Sequence, residues 1–354
     1  MTTGSVARPA APAGPAQPTA VVEALPSLAA LEAAAPLSAL RAQVTAQRRQ
    51  TRAVLDGHDD RLMVIVGPCS VHDPAAGLEY AARLAEAARA YRDDLFVVLR
   101  AYLEKPRSVL GWRGLVPDPG LDGGGDLTRG LVLGRRFLAD AAGHGLPLAT
   151  EFVDPMLAPL LADAISWGSV GARTVHSQPH RALAAGLPMP VGFKNALDGD
   201  VGAAVDAVRA AAAIHVYPAL DADGAAVIVR AAGNRDGHVV LRGGAHGPNH
   251  DAHSVSMAQD LLRAAGLPVR LVVDASHGNS GKDYRRQPAV VGDLADQVGA
   301  GDRGLVGVMI ESFLVGGRQE RPDRYGVSIT DGCLGWDDTA AALRVLAAAA
   351  RSRR

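Results

Sequence analysis

The sequence predicts an α/β fold, a (β/α)8 TIM barrel, on three observations. Eight apolar runs of strand length recur along the chain, and helical patterns separate them. Each run ends at, or within a few residues of, a charged or metal-capable side chain. In a barrel of this kind the functional residues lie at the C-terminal ends of the strands. We therefore expect one site, formed where the eight strand ends meet.

The eight apolar runs are the predicted strands. They are Met63–Val66, Phe96–Leu99, Pro147–Thr150, Ser169–Ala172, Pro190–Phe193, Val239–Leu241, Val269–Val273 and Leu305–Ile310. The side chains that follow them are, in the same order, Cys69, Arg100 with Lys105, Glu151, Arg173, Lys194, Arg242, His277 and Glu311. Helices are predicted at Gly77–Arg89, Thr128–Ala142, Pro155–Ser166, His180–Ala185, Val201–Ala211, Asp251–Ala264, Val290–Val298 and Thr339–Arg351.

The chain divides into three predicted segments. Residues 1–22 form a Pro/Ala-rich tail, for which we predict disorder, and residues 23–60 form an N-terminal helical extension with a break at Pro36. Ser38 is positioned to cap the second helix of that extension. Residues 61–354 form the barrel, interrupted between the fifth and sixth strands near 213–232. There two β-rich runs flank an Asp-Ala-Asp-Gly turn, which predicts an inserted β-hairpin.

Composition excludes several classes of protein. A formal charge of −1 indicates neither a nucleic-acid partner nor an anionic membrane surface. No apolar stretch approaches the roughly 18 residues that a transmembrane helix needs, and the tail lacks the apolar segment of a secretory signal. Two cysteines argue against a disulfide framework. A cytoplasmic protein is expected.

Lysine is unusually rare in this chain. The 36 basic residues include only three lysines, Lys105, Lys194 and Lys282. A chain so biased towards arginine should keep lysine where a compact ammonium that exchanges its proton is needed. The alternative is chance survival of surface lysines.

Six cations come from four different strand ends, which a barrel brings to one mouth: Arg100, Lys105, Arg107, Arg173, Lys194 and Arg242. They would repel one another unless they bind a strongly anionic ligand. Guanidinium and ammonium groups suit phosphate and carboxylate oxygens. We therefore predict a small phosphorylated acid as a ligand, with a second phosphate nearby. Ordinary salt bridges within the barrel are the alternative.

A second group of residues could bind a metal ion. Cys69, His277, Glu311 and Asp331 offer one thiolate, one imidazole and two carboxylates, a mixed set suited to Mn, Fe, Co or Zn. These ligands have no diagnostic spacing, and a lone buried cysteine is often only a core residue. Cys333, two residues after Asp331, is read as a packing residue. We also hypothesise that it lies near Cys69, so that oxidation could link the two thiols.

Other polar residues rank lower. Glu151 could orient a lysine or a water, although a structural ion pair is equally compatible with its position. His72 and Asp73 are interpreted as a helix N-terminus. His176 and His180 are interpreted as loop residues.

Several segments together resemble the type I 3-deoxy-D-arabino-heptulosonate 7-phosphate (DAHP) synthases. They read IVGPCSVHDP, LRAYLEKPRS, GWRGL, SWGSVGART, PVGFKN, LRGG, DASHGNS and SITDGCLGWDD, in order from about Asp59 to the C-terminus. The resemblance implies a metal-dependent condensation of phosphoenolpyruvate with erythrose 4-phosphate, giving DAHP and phosphate at the entry to the shikimate pathway. It also implies a homodimer or homotetramer.

The resemblance further implies roles for individual residues. The divalent metal (Mn, Fe, Co or Zn) would lie on Cys69, His277, Glu311 and Asp331. Phosphoenolpyruvate would lie against Arg100, Lys105, Arg173, Lys194 and Arg242, with Glu151 and Ala172 also at the substrate site. The aldose phosphate would lie near Lys105, Pro106, Arg107 and Ser108. Lys105, where both substrates meet, is the expected proton donor, alongside the catalytic metal ligands Cys69 and His277.

The chain departs from the family pattern at several positions. Ser108 and Val109 follow the KPR motif where two threonines are usual, His176 replaces a glutamate, and Phe313 replaces a histidine. The alternative reading is therefore the same chemistry on another aldose phosphate, and a non-catalytic regulatory homologue is the alternative from a different class. Pro188 and Ala219 occupy positions where relatives often use serines to bind an aromatic amino acid. We therefore predict altered or absent feedback inhibition.

Overall fold

The structure is a computed structural model that describes residues 19–354, so most of the predicted tail at 1–22 lies outside the described residues. The strands are β1 (Leu62–Gly67), β2 (Leu95–Arg100), β3 (Leu148–Glu151), β4 (Trp167–Val170), β5 (Val191–Lys194), β6 (His215–Leu220), β7 (Ala226–Ala231), β8 (His238–Leu241), β9 (Leu271–Asp274) and β10 (Leu305–Glu311). The helices are α1 (Leu28–Ala34), α2 (Arg41–Leu55), α3 (Pro74–Ala90), α4 (Leu127–Gly143), α5 (Ala158–Leu161), α6 (Gln178–Gly186), α7 (Gly202–Ala211), α8 (Ala252–Ala264), α9 (Gln287–Gly299) and α10 (Trp336–Arg353).

Eight of these strands close into a parallel barrel, which confirms the predicted fold. The order is β1, β2, β3, β4, β5, β8, β9 and β10, and β10 pairs with β1 through contacts such as Met63 opposite Gly307. Every residue of the eight strands is buried. Strands that are buried on both faces are apolar along their whole length. For this reason they could be recognised in the sequence as continuous apolar runs.

The predicted fourth strand was two residues too late. It was expected at Ser169–Ala172, whereas β4 begins at Trp167 and ends at Val170. Trp167 and Gly168 belong to the strand because the indole is fully buried at the N-terminal end of the barrel. Ala172 and Arg173 consequently lie in the turn after β4. The helix predicted at Pro155–Ser166 is also shorter, since α5 ends at Leu161 and a 3₁₀ turn follows.

The inserted hairpin is present as predicted. Strands β6 and β7 pair in antiparallel fashion from His215 opposite Ala231 to Leu220 opposite Ala226. The Asp221 carboxylate closes the turn by accepting hydrogen bonds from the backbone N–H groups of Asp223 at 3.0 Å and Ala225 at 2.8 Å. Gly224 takes a φ of +83°, which other residues rarely adopt.

The N-terminal helices close one end of the barrel. The last turn of α2 packs Val54 and Leu55 against Met63, Ile65 and Trp167. Ser38 does not cap α2, contrary to prediction. Instead the Glu32 carboxylate accepts hydrogen bonds from the backbone N–H groups of Leu37 and Ser38, because α1 ends close to them. Within residues 19–354, no helix has the length and apolar character needed to cross a bilayer.

Candidate active site at the barrel mouth

Residues from six strand ends line one cavity of about 320 Å³ at the C-terminal mouth of the barrel. The predicted site residues that line it are Lys105, Ser108, Arg173, Arg242, His277, Glu311 and Asp331. Ser280, Lys282 and Tyr284 line it as well. The expectation that distant parts of the sequence meet at one mouth therefore holds for these residues.

Three of the four candidate metal ligands lie close together, and the fourth, His277, lies beside one of them. The Cys69 sulfur and one carboxylate oxygen each from Glu311 and Asp331 lie within 4.8 Å of one another. The Cys69 Sγ is 3.5 Å from Asp331 Oδ2, and His277 Nε2 is 3.6 Å from Glu311 Oε1. Donors that share a tetrahedral ion at ordinary bond lengths lie about 3.3–3.7 Å apart. The donor chemistry and these two spacings fit one borderline divalent ion.

Lys105 lies directly against this donor set. Its Nζ donates hydrogen bonds to Cys69 Sγ at 2.8 Å and to Asp331 Oδ2 at 2.9 Å. Burial alone would lower the pKa of Lys105, but the neighbouring thiol and carboxylates raise it above its ordinary value. The side chain therefore carries a proton at neutral pH.

The Cys69 thiol is buried and fully inside the protein. Burial, together with the Glu311 carboxylate, raises its pKa to about 12. A metal that binds the thiolate must therefore displace this proton. The Cys333 sulfur accepts a hydrogen bond from the Cys69 backbone N–H at 3.4 Å, and both cysteines are free. The hypothesised proximity of the two residues is thus observed.

Arg100 lies behind the metal donors, among protein groups. Its Nη2 donates to Glu311 Oε1 at 3.1 Å and to the Cys69 carbonyl at 3.3 Å, and its guanidinium lies 3.8 Å from the centre of the Tyr102 ring. It is 1% exposed and does not line the mouth cavity. Its observed contacts orient two candidate metal ligands.

Asp274 is a residue that the sequence argument missed. Its fully buried Oδ2 lies 2.9 Å from Lys194 Nζ and 2.9 Å from His277 Nδ1. Burial would raise the pKa of Asp274, but its contacts with Lys194 and His277 hold it well below its usual range. The carboxylate accepts the Nδ1 proton of His277 and leaves Nε2 directed at Glu311. The available signal in the sequence was an acidic residue directly after a predicted strand, three residues before His277.

Lys194 is held by the same carboxylate. Burial alone would lower its pKa, yet Asp274 raises it, so the ammonium stays charged. Arg242 and Arg173 follow β8 and β4, and Arg173 Nε donates to Ser108 Oγ at 2.8 Å. Ala172 lies half-buried beside Arg173, and Glu151 is buried at the end of β3. A Cβ at Gly171 would lie only 2.1 Å from Glu151 Oε1, so a larger residue there would displace the Glu151 carboxylate.

Arg107 lies in the loop after β2, beside the mouth cavity rather than in its lining. The backbone N–H of Lys105 donates to the Arg113 carbonyl at 2.7 Å, which closes the loop between them. Within that loop Pro106 and Arg107 line a cavity of about 620 Å³ that adjoins the mouth cavity, since Lys105 lines both. The Arg107 guanidinium lies against Gly111. The direction of a loop side chain was not available from the sequence.

Two of the lower-ranked residues, Asp73 and His180, have structural partners. The Asp73 carboxylate accepts from the backbone N–H groups of Ala75 at 2.9 Å and Ala76 at 3.2 Å, which confirms the predicted helix start. His180 is buried and pairs with Ser177 Oγ and the Val153 carbonyl.

Pro188 and Ala219 line two adjoining cavities beside the hairpin, of about 510 and 470 Å³, which share Tyr217.

Comparison with known proteins decides the family. The sequence model of the DAHP synthetase I family matches residues 41–344. The chain belongs to the DAHP synthetase I family. It is 49% identical over 332 residues to the Trp-sensitive phospho-2-dehydro-3-deoxyheptonate aldolase of Enterobacter agglomerans, covering 93% of this chain and 94% of that one. It is 45% identical to the Phe-sensitive enzyme of Escherichia coli, covering 88% and 90%.

The likeness extends to three dimensions. A solved phospho-2-dehydro-3-deoxyheptonate aldolase from Francisella tularensis matches with a TM-score of 0.91 and 42% identity, covering 94% of this chain and 98% of that one. Family membership therefore covers the barrel, α2 and the mouth residues described above. It confirms the resemblance first drawn from the sequence segments, and it identifies the chain as an enzyme of the DAHP synthetase I family.

Proposed function

We propose that this enzyme condenses phosphoenolpyruvate with erythrose 4-phosphate to give DAHP and inorganic phosphate, and that it needs one divalent metal ion. The observation that carries the proposal is the grouping of Cys69, Glu311 and Asp331 beside the Lys105 ammonium, with His277 Nε2 3.6 Å from Glu311 Oε1. The printed names of the relatives support the same reaction.

The cations of the mouth suit the anionic substrate. Phosphoenolpyruvate carries a carboxylate and a phosphate, and Lys194, Arg173 and Arg242 would bind these groups. Arginine forks match such oxygens in a bidentate manner. Burial lowers the pKa of Arg242 from a very high ordinary value, so it remains charged. Glu151 and Ala172 border the same end of the site.

The four donors would hold the metal, with Arg100 orienting Glu311 and Asp274 orienting His277. A divalent ion bound there supplies Lewis-acid polarisation of the aldehyde oxygen. The donor set admits Mn, Fe, Co or Zn.

Lys105 is the proposed proton donor. When C3 of phosphoenolpyruvate bonds to the aldehyde carbon, the aldehyde oxygen gains negative charge, and the protonated Nζ can hydrogen-bond to that oxygen or protonate it. Water then adds at C2 of the former enol phosphate. Loss of phosphate from the resulting hemiketal leaves the ketone of DAHP. The Lys105 ammonium suits this role because its hydrogen bonds already hold it beside the metal ligands.

There are two alternatives to the proposed reaction. Ser108 and Val109 favour a test of other aldose phosphates, because they lie where the aldose phosphate would bind. A non-catalytic homologue would be expected to lack a metal ligand or a cation, yet every candidate residue is present. We further propose a cytoplasmic homodimer or homotetramer. The free thiols are compatible with a reducing compartment.

The test is phosphate release from phosphoenolpyruvate, with and without erythrose 4-phosphate, after chelation and after metal add-back. We expect release only with both the aldose and a metal. If phosphate is released faster with arabinose 5-phosphate in competition, the proposed substrate is another aldose phosphate and not erythrose 4-phosphate. No release with any aldose phosphate would contradict an enzymatic role.

A further inference from the structure

Gln287, the first residue of α9, is a completely buried glutamine whose amide contacts the backbone of one candidate metal ligand. Its Nε2 donates to the Glu311 carbonyl at 3.0 Å, and its Oε1 accepts from the Glu311 N–H at 2.9 Å. A backbone N–H can only donate and a carbonyl can only accept, so this reciprocal pair fixes which end of the amide faces which group. The side chain thus reproduces the pairing of a neighbouring peptide group.

The strand ladder explains why Glu311 needs such a partner. On one side β1 continues to the end of β10, with Gly67 opposite Glu311. On the other side β9 ends at Asp274, which lies opposite Met309, two residues before Glu311. Alternate residues of a strand pair with the same neighbour, so the Glu311 backbone faces the side on which Met309 pairs. The Gln287 amide therefore takes the place of the strand that has ended there, and it satisfies a buried backbone N–H.

The same side chain joins two of the metal donors. Gln287 follows the turn that begins at His277, and the buried Asn279 anchors that turn through a hydrogen bond to the Asp274 carbonyl at 2.8 Å. Gln287 therefore connects the segment that carries His277 to the strand end that carries Glu311. The Glu311 Oε1 and His277 Nε2 atoms lie 3.6 Å apart, so a shift of either segment would change the spacing of the two donors.

Glu311 is thus held at two levels. The Arg100 guanidinium donates to Glu311 Oε1 at 3.1 Å and so contacts the carboxylate, whereas Gln287 contacts the backbone. We propose that Gln287 is a positioning residue for the metal site, because it fixes the backbone from which the Glu311 carboxylate reaches the other donors. The inference rests on the metal site of the proposed function. Loss of a group that orients a metal ligand typically lowers metal affinity about tenfold to a hundredfold.

The experiment measures metal affinity in the apo protein, with cobalt titrated against a competing chelator. Gln287→Met keeps the length of the side chain and removes both hydrogen bonds, so affinity for Co²⁺ should fall about tenfold to a hundredfold. At saturating cobalt the absorption band of a thiolate bound to Co²⁺ should remain, because Cys69 is unchanged. If Gln287→Met does not fold, Gln287→Asn replaces it. Its amide is one methylene group shorter and cannot make both hydrogen bonds, so the same loss is expected.

The matched control is Gln47→Met, at the opposite end of the barrel. Gln47 is also a buried glutamine, with Nε2 3.1 Å from the Gly145 carbonyl and Oε1 3.1 Å from Ser166 Oγ. Its loss should lower Tm, as the loss of Gln287 does, and leave cobalt affinity unchanged. Equal cobalt affinity in wild type and Gln287→Met would overturn the assignment. An equal loss of affinity in Gln47→Met, or a lost thiolate band in Gln287→Met, would also overturn it.

The titration contains no substrate, so failure of the proposed reaction is distinguishable from failure of this assignment. Tight cobalt binding without turnover would contradict the condensation and leave the role of Gln287 intact. A wild type that binds no cobalt would overturn both, since Gln287 would then have no metal ligand to position.

Discussion

The same eight strands are packed with apolar side chains at the N-terminal end of the barrel and with charged side chains at its C-terminal mouth. At the N-terminal end, α2 packs Val54 and Leu55 over Met63, Ile65 and Trp167. The indole N–H of Trp167 donates to His238 Nε2 at 3.0 Å, and burial lowers the pKa of His238 to about 4, so that imidazole stays neutral. At the mouth, six strand ends bury charged groups instead: Arg100, Glu151, Lys194, Arg242, Asp274 and Glu311. The contrast shows that charge is concentrated at one end of the barrel, where a ligand can use it.

The comparison predicts that the N-terminal end governs stability alone. Trp167→Ala removes a fully buried indole and should lower the free energy of unfolding by about 3–5 kcal/mol. Denaturant unfolding measures this. KM values of the folded variant should match those of the wild type, because the indole is remote from the mouth cavity. If Trp167→Ala lost activity while its free energy of unfolding stayed unchanged, the distinction between the two ends of the barrel would be contradicted.

Lys105→Arg probes the mouth. The guanidinium keeps the charge but exchanges its proton poorly, so we expect turnover to fall about a hundredfold. KM for phosphoenolpyruvate should change less. Steady-state kinetics separate the two quantities, and an unchanged turnover would refute the role of Lys105 as proton donor.

Asp274→Asn tests the carboxylate that joins His277 to Lys194. Loss of an outer carboxylate typically lowers metal affinity about tenfold to a hundredfold. A competition titration with a chelator measures it without reference to activity. Asp283→Asn, in the same loop at a half-buried carboxylate that pairs with Arg285, is the control and should leave metal affinity unchanged. Equal metal affinity in wild type and Asp274→Asn would reduce Asp274 to a packing residue.

The smallest effect is expected at the hairpin. Pro188 and Ala219 bring no hydroxyl to the two cavities that they line, and Tyr217 places its own hydroxyl against Gly186. Micromolar phenylalanine, tyrosine or tryptophan should therefore leave the rate nearly unchanged. An initial-rate assay with each amino acid checks this. Clear inhibition by any of them would show that other groups replace the hydroxyl contacts missing at Pro188 and Ala219.

Much of the fold could be predicted because buried parallel strands are apolar throughout. The strand that was misplaced, β4, is the one with a tryptophan and two glycines around it, where the apolar run has no clear start. The metal ligands could be proposed only through the barrel, since they are separated by up to 262 residues between Cys69 and Asp331. The position of Arg107, in a cavity that adjoins the mouth through Lys105, depends on the path of the loop after β2, which the sequence does not specify.

Asp274 teaches a further limit. Its role depends on two contacts, to Lys194 eighty positions earlier and to His277 three later. Neither contact has a sequence signature. Residues that act through others are found only once the packing is known.

The central claim is that Cys69, His277, Glu311 and Asp331 form one metal site at the mouth. Cobalt titration of the apo protein tests it most directly, because a thiolate bound to Co²⁺ gives a charge-transfer absorption band. We predict one equivalent of cobalt per chain, with a band that is absent in Cys69→Ser and present in Cys333→Ser. A band that survives Cys69→Ser, or no tight cobalt binding at all, would contradict the account.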